Sequence, residues 1–169
     1  MQQKLPYKVL CVCLGNICRS PTAEVVLRTT AHHAGLNLYV DSAGTANYHI
    51  GEAPDQRSQY YAKIHGYDLS KLQARQITMV DFDEFDLILA MDENNLHNVK
   101  KMMQCAGKTL KKQSLRASLA LMTAHDPLYP DQSVPDPYYG KAQDFENVIH
   151  LCESSSRGWV QYLQSQVHG

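Results

Sequence analysis

One junction near the start of the chain constrains the fold more than any other feature of the sequence. Residues 7–13 (Tyr-Lys-Val-Leu-Cys-Val-Cys) form a nearly continuous apolar run with β-branched residues. Such a run is typical of a parallel strand covered on both faces. A six-residue turn follows, and then Ser20 and Pro21, a hydroxyl residue before a proline, indicate the start of a helix. A buried strand that leads directly into a helix predicts an α/β fold.

The rest of the chain continues this alternation of strands and helices. Gly35 and Gly66 are expected to end two of the helices. The predicted elements after the first strand are a helix from Ser20-Pro21, a strand at 38–40, a helix over 55–65, a strand at 86–91, a helix over 93–104, a strand within 114–122 and a helix over 141–164. In the last helix, Ser154-Ser155-Ser156-Arg157 is expected to be a solvated turn rather than a kink. The alternation predicts an open parallel sheet with helices on both sides, and a ligand site beyond the carboxyl ends of its strands, where Cys13 lies.

Length, charge and cysteine count place these elements in one globular domain over residues 1–169 and exclude several partners. Sixteen Lys+Arg against 17 Asp+Glu give a net charge of -1, which offers no basic surface to a nucleic acid. The sequence has no membrane span, and its polar start is unlike a secretory signal, so we expect a cytoplasmic protein with reduced thiols. Five cysteines argue against a disulfide framework, and eight histidines show no metal-binding spacing. The sequence therefore predicts no metal and no cofactor.

The turn itself, Cys13-Leu14-Gly15-Asn16-Ile17-Cys18-Arg19-Ser20, has the composition of a phosphate cradle. Cys followed six residues later by Arg, and then by Ser or Thr, is expected only about 0.02 times by chance in a chain of this composition. Because the turn joins a strand end to a helix start, its backbone N–H groups can curl around an anion. Gly15 and Asn16 tolerate the positive φ that such a curl requires. Arg19 can donate two parallel hydrogen bonds to phosphate oxygens.

Cys13 is the predicted nucleophile of this cradle. The helix dipole, the N–H groups and Arg19 all favour a thiolate, and a thiolate that faces phosphorus is a nucleophile. The alternative, a small buried residue at a strand end, is the better interpretation for Cys11, which lies inside the strand. Attack on a phosphomonoester also requires a general acid opposite the nucleophile.

Two Asp-Pro-x-Tyr segments in a proline-rich stretch could supply this acid. They are Asp126-Pro127-Leu128-Tyr129 and Asp136-Pro137-Tyr138-Tyr139, and either could be a plain turn. Asp136 is favoured, because Tyr138 and Tyr139 could both withdraw its carboxyl from water and stack on an aromatic substrate.

Four segments together resemble the low-molecular-weight protein tyrosine phosphatases. They are Val12-Cys13-Leu14-Gly15-Asn16-Ile17-Cys18-Arg19-Ser20-Pro21, Asp41-Ser42-Ala43-Gly44, Ala74-Arg75-Gln76 and Val134-Pro135-Asp136-Pro137-Tyr138-Tyr139-Gly140. The match covers nearly the whole chain, with the cradle near its N-terminus and the acid far along the sequence. It implies a flavodoxin-like, three-layer fold with a central four-stranded parallel sheet. It also implies hydrolysis of phosphotyrosine and aryl phosphates through a phosphocysteine intermediate, without metal.

The resemblance implies a role for each matched residue. Cys13 would be the nucleophile, Arg19 the phosphate clamp and Asp136 the acid and then the base. The other matched positions are Asn16, Ser20 and Ser42, which hold the cradle and assist the thiolate; Leu14, Gly15, Ile17 and Cys18, which complete the phosphate-binding loop; Tyr48, Tyr138 and Tyr139, which line an aromatic slot with Leu14 and Ile17; and Asp92 and Arg75, which are supporting residues.

Two segments distinguish this chain within the family it resembles. Mammalian members carry a His that braces the cradle Asn, whereas this chain has Lys71-Leu72-Gln73, which leaves open what braces Asn16. Asn47-Tyr48-His49-Ile50-Gly51-Glu52 is similar to the bacterial version of the pocket wall. A bacterial-type member implies a phosphotyrosine-containing protein as substrate and a bacterial tyrosine kinase as a candidate partner.

Three other functions share this fold or this kind of site. An arsenate reductase needs two further cysteines after the third strand, and residues 91–104 contain none. A protein-arginine phosphatase typically has Thr at the position of Ile17, whose apolar side chain suits an aromatic ring better than a guanidinium. A non-catalytic phosphate-binding module would not need Cys13, Arg19 and Asp136 together.

Cys18 adds a second thiol to the loop, five residues from Cys13. Related phosphatases that share this second cysteine can bring the two sulfurs together. We therefore expect a disulfide between Cys13 and Cys18 on oxidation, which would protect the nucleophile from irreversible over-oxidation. The alternative is that Cys18 only fills space behind the cradle.

Overall fold

Four parallel strands form a central sheet in the computed structural model, which describes residues 5–167. The strands are β1 (Tyr7–Cys13), β2 (Leu38–Gly44), β3 (Leu87–Ala90) and β4 (Ser118–Leu121), in the order β2-β1-β3-β4. The helices are α1 (Arg19–His33), α2 (Gln56–Ile64), α3 (Asp81–Glu84), α4 (Glu93–Thr109) and α5 (Ala142–Val167). The α/β fold class, with its four-stranded parallel sheet, is confirmed.

The alternation of side chains along β1 divides the core into two layers. Val9 and Cys11 pack with residues of α1 and α5 on one face, whereas Leu10 and Val12 pack with α3 and α4 on the other. All four are fully buried. This arrangement explains why β1 is apolar at nearly every position, and it places helices on both sides of the sheet, as the sequence predicts.

The carboxyl ends of the strands meet at one edge of the sheet. Cys13 is in register with Gly44 of β2, and Val12 is in register with Ala90 of β3. The segments that follow β1, β2 and β3 therefore leave the sheet side by side, and this is the edge at which the sequence predicts a ligand site. No helix within residues 5–167 is both long and apolar enough to cross a bilayer.

Several element boundaries differ from the sequence-based expectations. The short helix α3 was not expected, and α4 continues to Thr109. Helix α1 begins at Arg19, and its N-cap Cys18 makes no capping hydrogen bond through its side chain. Ser20 is thus inside the helix, where its hydroxyl faces the cradle instead of capping the helix. The first four residues of the polar N-terminal stretch lie outside the described residues.

The expectation of a solvated turn at Ser154-Ser155-Ser156-Arg157 is wrong. Helix α5 continues through this segment, and its three serines are buried. The hydroxyls of Ser154 and Ser155 donate to the two carboxylate oxygens of Asp126, at 2.6 and 2.7 Å. Ser154 and Ser155 are compatible with a buried helix face because the buried carboxylate of Asp126 lies opposite and accepts their hydrogen bonds.

Asp126 therefore joins the loop after β4 to α5. Its Oδ1 also accepts from the backbone N–H groups of Leu128 and Tyr129, at 2.8 and 2.9 Å. Burial acts to raise the pKa of Asp126, but the hydrogen bonds from Ser154, Ser155 and these two amides outweigh it and hold the pKa below its usual value.

We expect Asp126→Ala to lower the free energy of unfolding by about 2–4 kcal/mol, since it leaves buried donors without an acceptor. The unfolded chain takes up the Asp126 proton first as the pH falls, because the folded pKa is the lower of the two. The contribution of Asp126 is thus fully present above about pH 4 and is lost as the pH falls through the folded pKa. Urea unfolding at pH 7 and pH 3 measures both effects. Equal stability of wild type and variant at pH 7 would contradict this role.

Candidate active site

The loop between β1 and α1 wraps around the thiol of Cys13 at the strand edge. The backbone N–H of Asn16 donates to Sγ at 3.3 Å, and the hydroxyl of Ser20 lies 3.0 Å from the same sulfur. Cys13 is only 3% exposed, at the floor of a pocket of about 260 Å³. A hydroxyl and an N–H directed at one sulfur stabilise negative charge on it.

The sequence analysis expects a positive φ at two residues of the loop, and the structure has it at one of them. Asn16 has a φ of 57°, as expected, but Gly15 does not have a positive φ. A Cβ on Gly15 would lie 3.1 Å from Cδ2 of His49, so a side chain there would require the His49 ring to shift by a few tenths of an ångström. A Cβ on Gly44 would lie 2.6 Å from the carbonyl oxygen of Leu14, so a glycine at the end of β2 allows the loop to approach the sheet.

The side chain of Asn16 is held by three hydrogen bonds. Its Nδ2 donates to the hydroxyls of Ser20 and Ser42 at 2.8 and 2.9 Å, and its Oδ1 accepts from the backbone N–H of Arg75 at 2.9 Å. The Ser42 hydroxyl in turn donates to Glu24 Oε1 at 2.7 Å. These contacts show what braces Asn16 in this chain, which has Lys71-Leu72-Gln73 instead of the His of mammalian members.

Glu24 is a residue of this site that the sequence analysis misses. It is 3% exposed on α1 and also accepts a hydrogen bond from Arg28. Burial raises the pKa of Glu24, although the bonds from Ser42 and Arg28 act in the opposite direction. The sequence signal that could have identified Glu24 is its position, since an acid four residues after Ser20 falls on the same buried helix face.

Arg75 anchors the segment that supports Asn16. Its guanidinium donates to Asp41 Oδ2 through Nε and Nη2, at 3.1 and 3.0 Å, and to Asp81 Oδ2 through Nη1, at 2.9 Å. Burial opposes the charge of Arg75, but the two carboxylates outweigh it and raise its pKa. Asp41 is on β2 and Asp81 begins α3, so Arg75 connects both elements to the back of the cradle.

Arg19 lies beside the thiol and is fixed by the neighbouring segments. Its Nη1 donates to Asp92 Oδ2 at 2.6 Å and to the carbonyl oxygen of Val134 at 3.0 Å, and its Nη2 lies 3.5 Å from Asp136 Oδ2. Asp92 is also the N-cap of α4. Burial opposes the charge of Arg19, but Cys13, Asp92 and Asp136 outweigh it and raise its pKa, so the guanidinium stays charged.

Aromatic side chains surround the mouth of the pocket. Tyr138 is half-buried against Ile17, whereas Tyr139 is 97% exposed and Tyr48 69% exposed. The pocket is lined by Cys13, Leu14, Gly15, Ile17, Cys18, Arg19, Tyr48, His49, Asp136, Tyr138 and Tyr139. His49, whose Nδ1 lies 2.8 Å from Glu52, lines the pocket within the segment that the sequence analysis compares with a pocket wall, although that analysis gives it no individual role.

The two candidate acids lie in different places. Asp136 lines the pocket beside Arg19, whereas Asp126 is held by α5 and does not line it. The side chain of Asp136 is 48% exposed, so the expectation that Tyr138 and Tyr139 withdraw it from water is wrong.

The remaining thiols near the sheet are unlike Cys13 in their surroundings. Cys11 is fully buried in the core, and burial raises its pKa well above the usual value. Cys18 packs beside Ile17 and Phe145, and burial raises its pKa to about 12.

Within the described residues, one group of side chains could hold a metal ion. It consists of His65, Glu146 and His150, and none of the three lines the pocket.

The fold and the site together define a class of protein: an α/β domain in which a thiol lies at the floor of a phosphate cradle, with an arginine beside it and a carboxyl group at the rim. Comparison with known proteins specifies the class further. Residues 8–168 match the family model "Low molecular weight phosphotyrosine protein phosphatase". The chain belongs to this family, whose members are phosphatases.

Individual relatives agree with this assignment. A human low molecular weight phosphotyrosine protein phosphatase is 41% identical over 163 residues, 95% of this chain and 98% of the relative. A low molecular weight protein-tyrosine-phosphatase of Streptomyces coelicolor is 37% identical over 169 residues, 98% of each chain. The crystal structure of a Drosophila arginine phosphatase superposes with a TM-score of 0.83 at 32% identity, and covers 92% of this chain and 97% of that one.

Proposed function

We propose that the protein hydrolyses phosphotyrosine in proteins, and aryl phosphates, through a phosphocysteine intermediate on Cys13. The observation that carries this proposal is the convergence of Cys13, Arg19 and Asp136 on one pocket with aromatic walls. These residues supply a nucleophile, charge stabilisation and proton transfer, so the chain's own groups suffice for the reaction without a metal.

In the first step, Cys13 Sγ attacks the phosphorus atom. The loop N–H groups and Arg19 hold the non-bridging oxygens, and charge that develops on them is stabilised where it forms. The bond from phosphorus to the tyrosine oxygen breaks, and Asp136 transfers its proton to that oxygen. The products of this step are an unphosphorylated tyrosine side chain in the protein substrate and a phosphocysteine.

In the second step, Asp136 acts as a base. Its carboxylate accepts a proton from water while the water oxygen attacks phosphorus, and the bond from phosphorus to Sγ breaks. The departing thiolate is stabilised by the N–H of Asn16 and the hydroxyl of Ser20, which lie 3.3 and 3.0 Å from the sulfur. Inorganic phosphate leaves, and the site returns to its starting state.

The slot determines the substrate class. Ile17 is nearly buried and, with Tyr138, forms an apolar wall above the cradle, so a phenyl ring that fills the slot places its phosphate next to Cys13. A short alkyl phosphate such as phosphoserine cannot fill the slot and reach the thiol at once, so it loses both positioning and apolar burial. The likeness to an arginine phosphatase makes phosphoarginine the second substrate to test.

We expect phosphotyrosine peptides to be cleaved with a kcat/KM at least about 100-fold above that of matched phosphoserine peptides, which corresponds to the burial of one aromatic ring. Ile17→Thr should lower the ratio of phosphotyrosine to phosphoarginine cleavage by about tenfold, because it adds a hydrogen-bond acceptor for a guanidinium. Ile17→Val, which keeps the wall apolar, is the matched control. Comparable rates of the wild type on all three peptides would show that the slot does not discriminate.

We also propose that the protein acts in the cytoplasm on proteins that a tyrosine kinase has phosphorylated. The candidate partner is a bacterial tyrosine kinase. The five cysteines are all unpaired, which is consistent with a reducing compartment. Asp136→Ala should retain substrate while turnover is slow, so it can capture phosphotyrosine proteins from the source cell. Release of the captured proteins by inorganic phosphate distinguishes site-bound substrates from other contacts.

The proposed redox role of Cys18 rests on its place in the loop and on its surroundings. Peroxide converts the Cys13 thiolate to a sulfenic acid, and attack by the Cys18 sulfur on that sulfur forms a disulfide and releases water. The raised pKa of Cys18, about 12, keeps it protonated at rest, so Cys13 is oxidised first.

Peroxide followed by dithiothreitol should inactivate and then restore the wild type. Cys18→Ser should recover several-fold less activity, because nothing captures the sulfenic acid before further oxidation. Cys105→Ser, which replaces an exposed cysteine, is the control. If mass spectrometry finds no link between Cys13 and Cys18 in the reversibly inactive protein, Cys18 serves only in packing.

A further inference from the structure

Two histidines and a glutamate form a cluster on the outer side of the α2–α5 contact, apart from the phosphate pocket. His65 is the C-cap of α2, and Glu146 and His150 are one turn apart on α5. Each residue offers one ligand atom, and the three atoms lie within 4.8 Å of one another. We propose that this cluster binds a divalent transition metal of the zinc type and joins α2 to α5.

The donor set suits this class of cation. Imidazole nitrogen and carboxylate oxygen are both common ligands of zinc, and two His with one Glu is a set that zinc accepts, with water in the fourth position. Ligand atoms around a tetrahedral zinc lie about 3.3 Å apart when the bonds are about 2.0 Å. Small side-chain rotations close the present spacing, since His150 is exposed. The half-exposed cluster also leaves room for the water.

The contacts around the cluster already orient its groups. His65 Nε2 and a carboxylate oxygen of Glu146 are in direct contact, and the rings of His65 and His150 are 5.3 Å apart and nearly perpendicular, at 86°. Glu153 Oε2 lies 3.7 Å from Nδ1 of His150, an ion-pair distance from which a small rotation of the ring would reach hydrogen-bond range, and the other ring nitrogen is available to the metal. A carboxylate that accepts from the second nitrogen is the usual partner of a metal-binding histidine.

Glu153 is itself fixed in place. The hydroxyl of Tyr67 donates to its Oε1 at 2.9 Å. An anion held in this way can keep the His150 ring in one orientation, so the cluster has an outer partner as well as three ligands.

A metal here would reinforce a contact that reaches the phosphate pocket. One turn from the cluster, Tyr61 of α2 stacks on Phe145 of α5, with ring centres 5.9 Å apart. Phe145 packs against Ile17 and Cys18 of the cradle loop. Metal binding should therefore stabilise the fold and the wall behind the loop, while the reacting groups keep their places.

Zinc titration of untagged protein tests the proposal, with the pocket thiol of Cys13 and the exposed thiol of Cys105 removed as Cys13→Ser and Cys105→Ser to limit binding of the metal to sulfur. We expect one equivalent of Zn²⁺ by calorimetry, and a rise in Tm of about 5–10 °C at free zinc 100 times Kd. His150→Gln in the same background should weaken binding about tenfold or more and reduce the rise at the same free zinc to about half or less. His97→Gln, which replaces an exposed histidine of α4, should change neither.

Co²⁺ provides a second readout that does not depend on stability. Bound cobalt should give the visible absorption of a four-coordinate nitrogen and oxygen site, without a sulfur charge-transfer band, and His150→Gln should remove it. Zinc binding that is equally tight in His150→Gln and Glu146→Gln would overturn the proposal, as would a cobalt spectrum with sulfur ligation. Neither measurement uses phosphatase activity, so the proposal stands or fails apart from the function proposed for Cys13.

Discussion

Replacement of Cys13 by serine should reduce turnover of p-nitrophenyl phosphate by about four orders of magnitude or more, because the hydroxyl stays protonated where the thiolate attacks. Binding of inorganic phosphate should survive, since the loop N–H groups and Arg19 are unchanged. Arg19→Ala should lose both turnover and phosphate binding, because it removes the charged donor. Steady-state kinetics and calorimetry with phosphate measure the two properties separately.

The controls make this result specific to the nucleophile. Cys105→Ser replaces an exposed cysteine on α4 and should leave both turnover and phosphate binding unchanged. Substantial turnover by Cys13→Ser, or failure of the wild type to form a phosphocysteine that rapid quench and mass spectrometry can detect, would remove Cys13 from the nucleophilic role. Turnover by the wild type that Cys13→Ser loses while it still binds phosphate would also exclude the non-catalytic module as the function of the wild type.

Asp136→Ala should slow cleavage by about two to four orders of magnitude for substrates with poor leaving groups, which need a proton to depart. The loss should be smaller for p-nitrophenyl phosphate, because p-nitrophenolate leaves without much protonation. The geometry supports this assignment, since Asp136 lies 3.5 Å from Arg19 at the pocket rim. A plot of rate against leaving-group pKa for a series of aryl phosphates measures the difference.

Asp126→Ala is the matched control, because it removes the other aspartate of an Asp-Pro-x-Tyr segment. It should lower stability and leave the dependence on the leaving group unchanged. Equal losses on good and poor leaving groups in Asp136→Ala would remove Asp136 from the acid role. A leaving-group effect confined to Asp126→Ala would assign the role to the other segment, despite its distance from the pocket.

The first strand and the cradle could be predicted because their chemistry is local. Residues 9–13 of β1 are apolar and buried on both faces, and the turn that follows combines a left-handed Asn with a strand end and a helix start. Each requirement is met by neighbours in the sequence, so the pattern specifies the structure. Gly15 shows the limit even here, since the side chain that crowds this position belongs to His49, which lies far along the chain.

The two Asp-Pro-x-Tyr segments show why the rest could not be predicted. Both aspartates form the same local turn, in which Oδ1 accepts from the amide two residues on, at 2.8 Å for Asp126 and 3.2 Å for Asp136. The sequence specifies that turn but not what lies across from it, which is a pair of buried serines in one case and Arg19 in the other. The misassigned serine segment and the unassigned Glu24 have the same cause, because a distant partner makes a polar residue suitable for the interior.

The hydrogen bonds that hold Arg19 have a consequence for the thermodynamics of phosphate binding. A free arginine side chain samples many rotamers, and ordering one at an interface costs about 0.5–1.5 kcal/mol of conformational entropy. Here Asp92 and the Val134 carbonyl have already selected the rotamer in the folded protein. That entropy is therefore lost when the chain folds and not when the phosphate arrives. A small dianion can bind a rigid clamp of this kind without a lid that closes over it, so association and product release need not wait for a slow rearrangement of the chain.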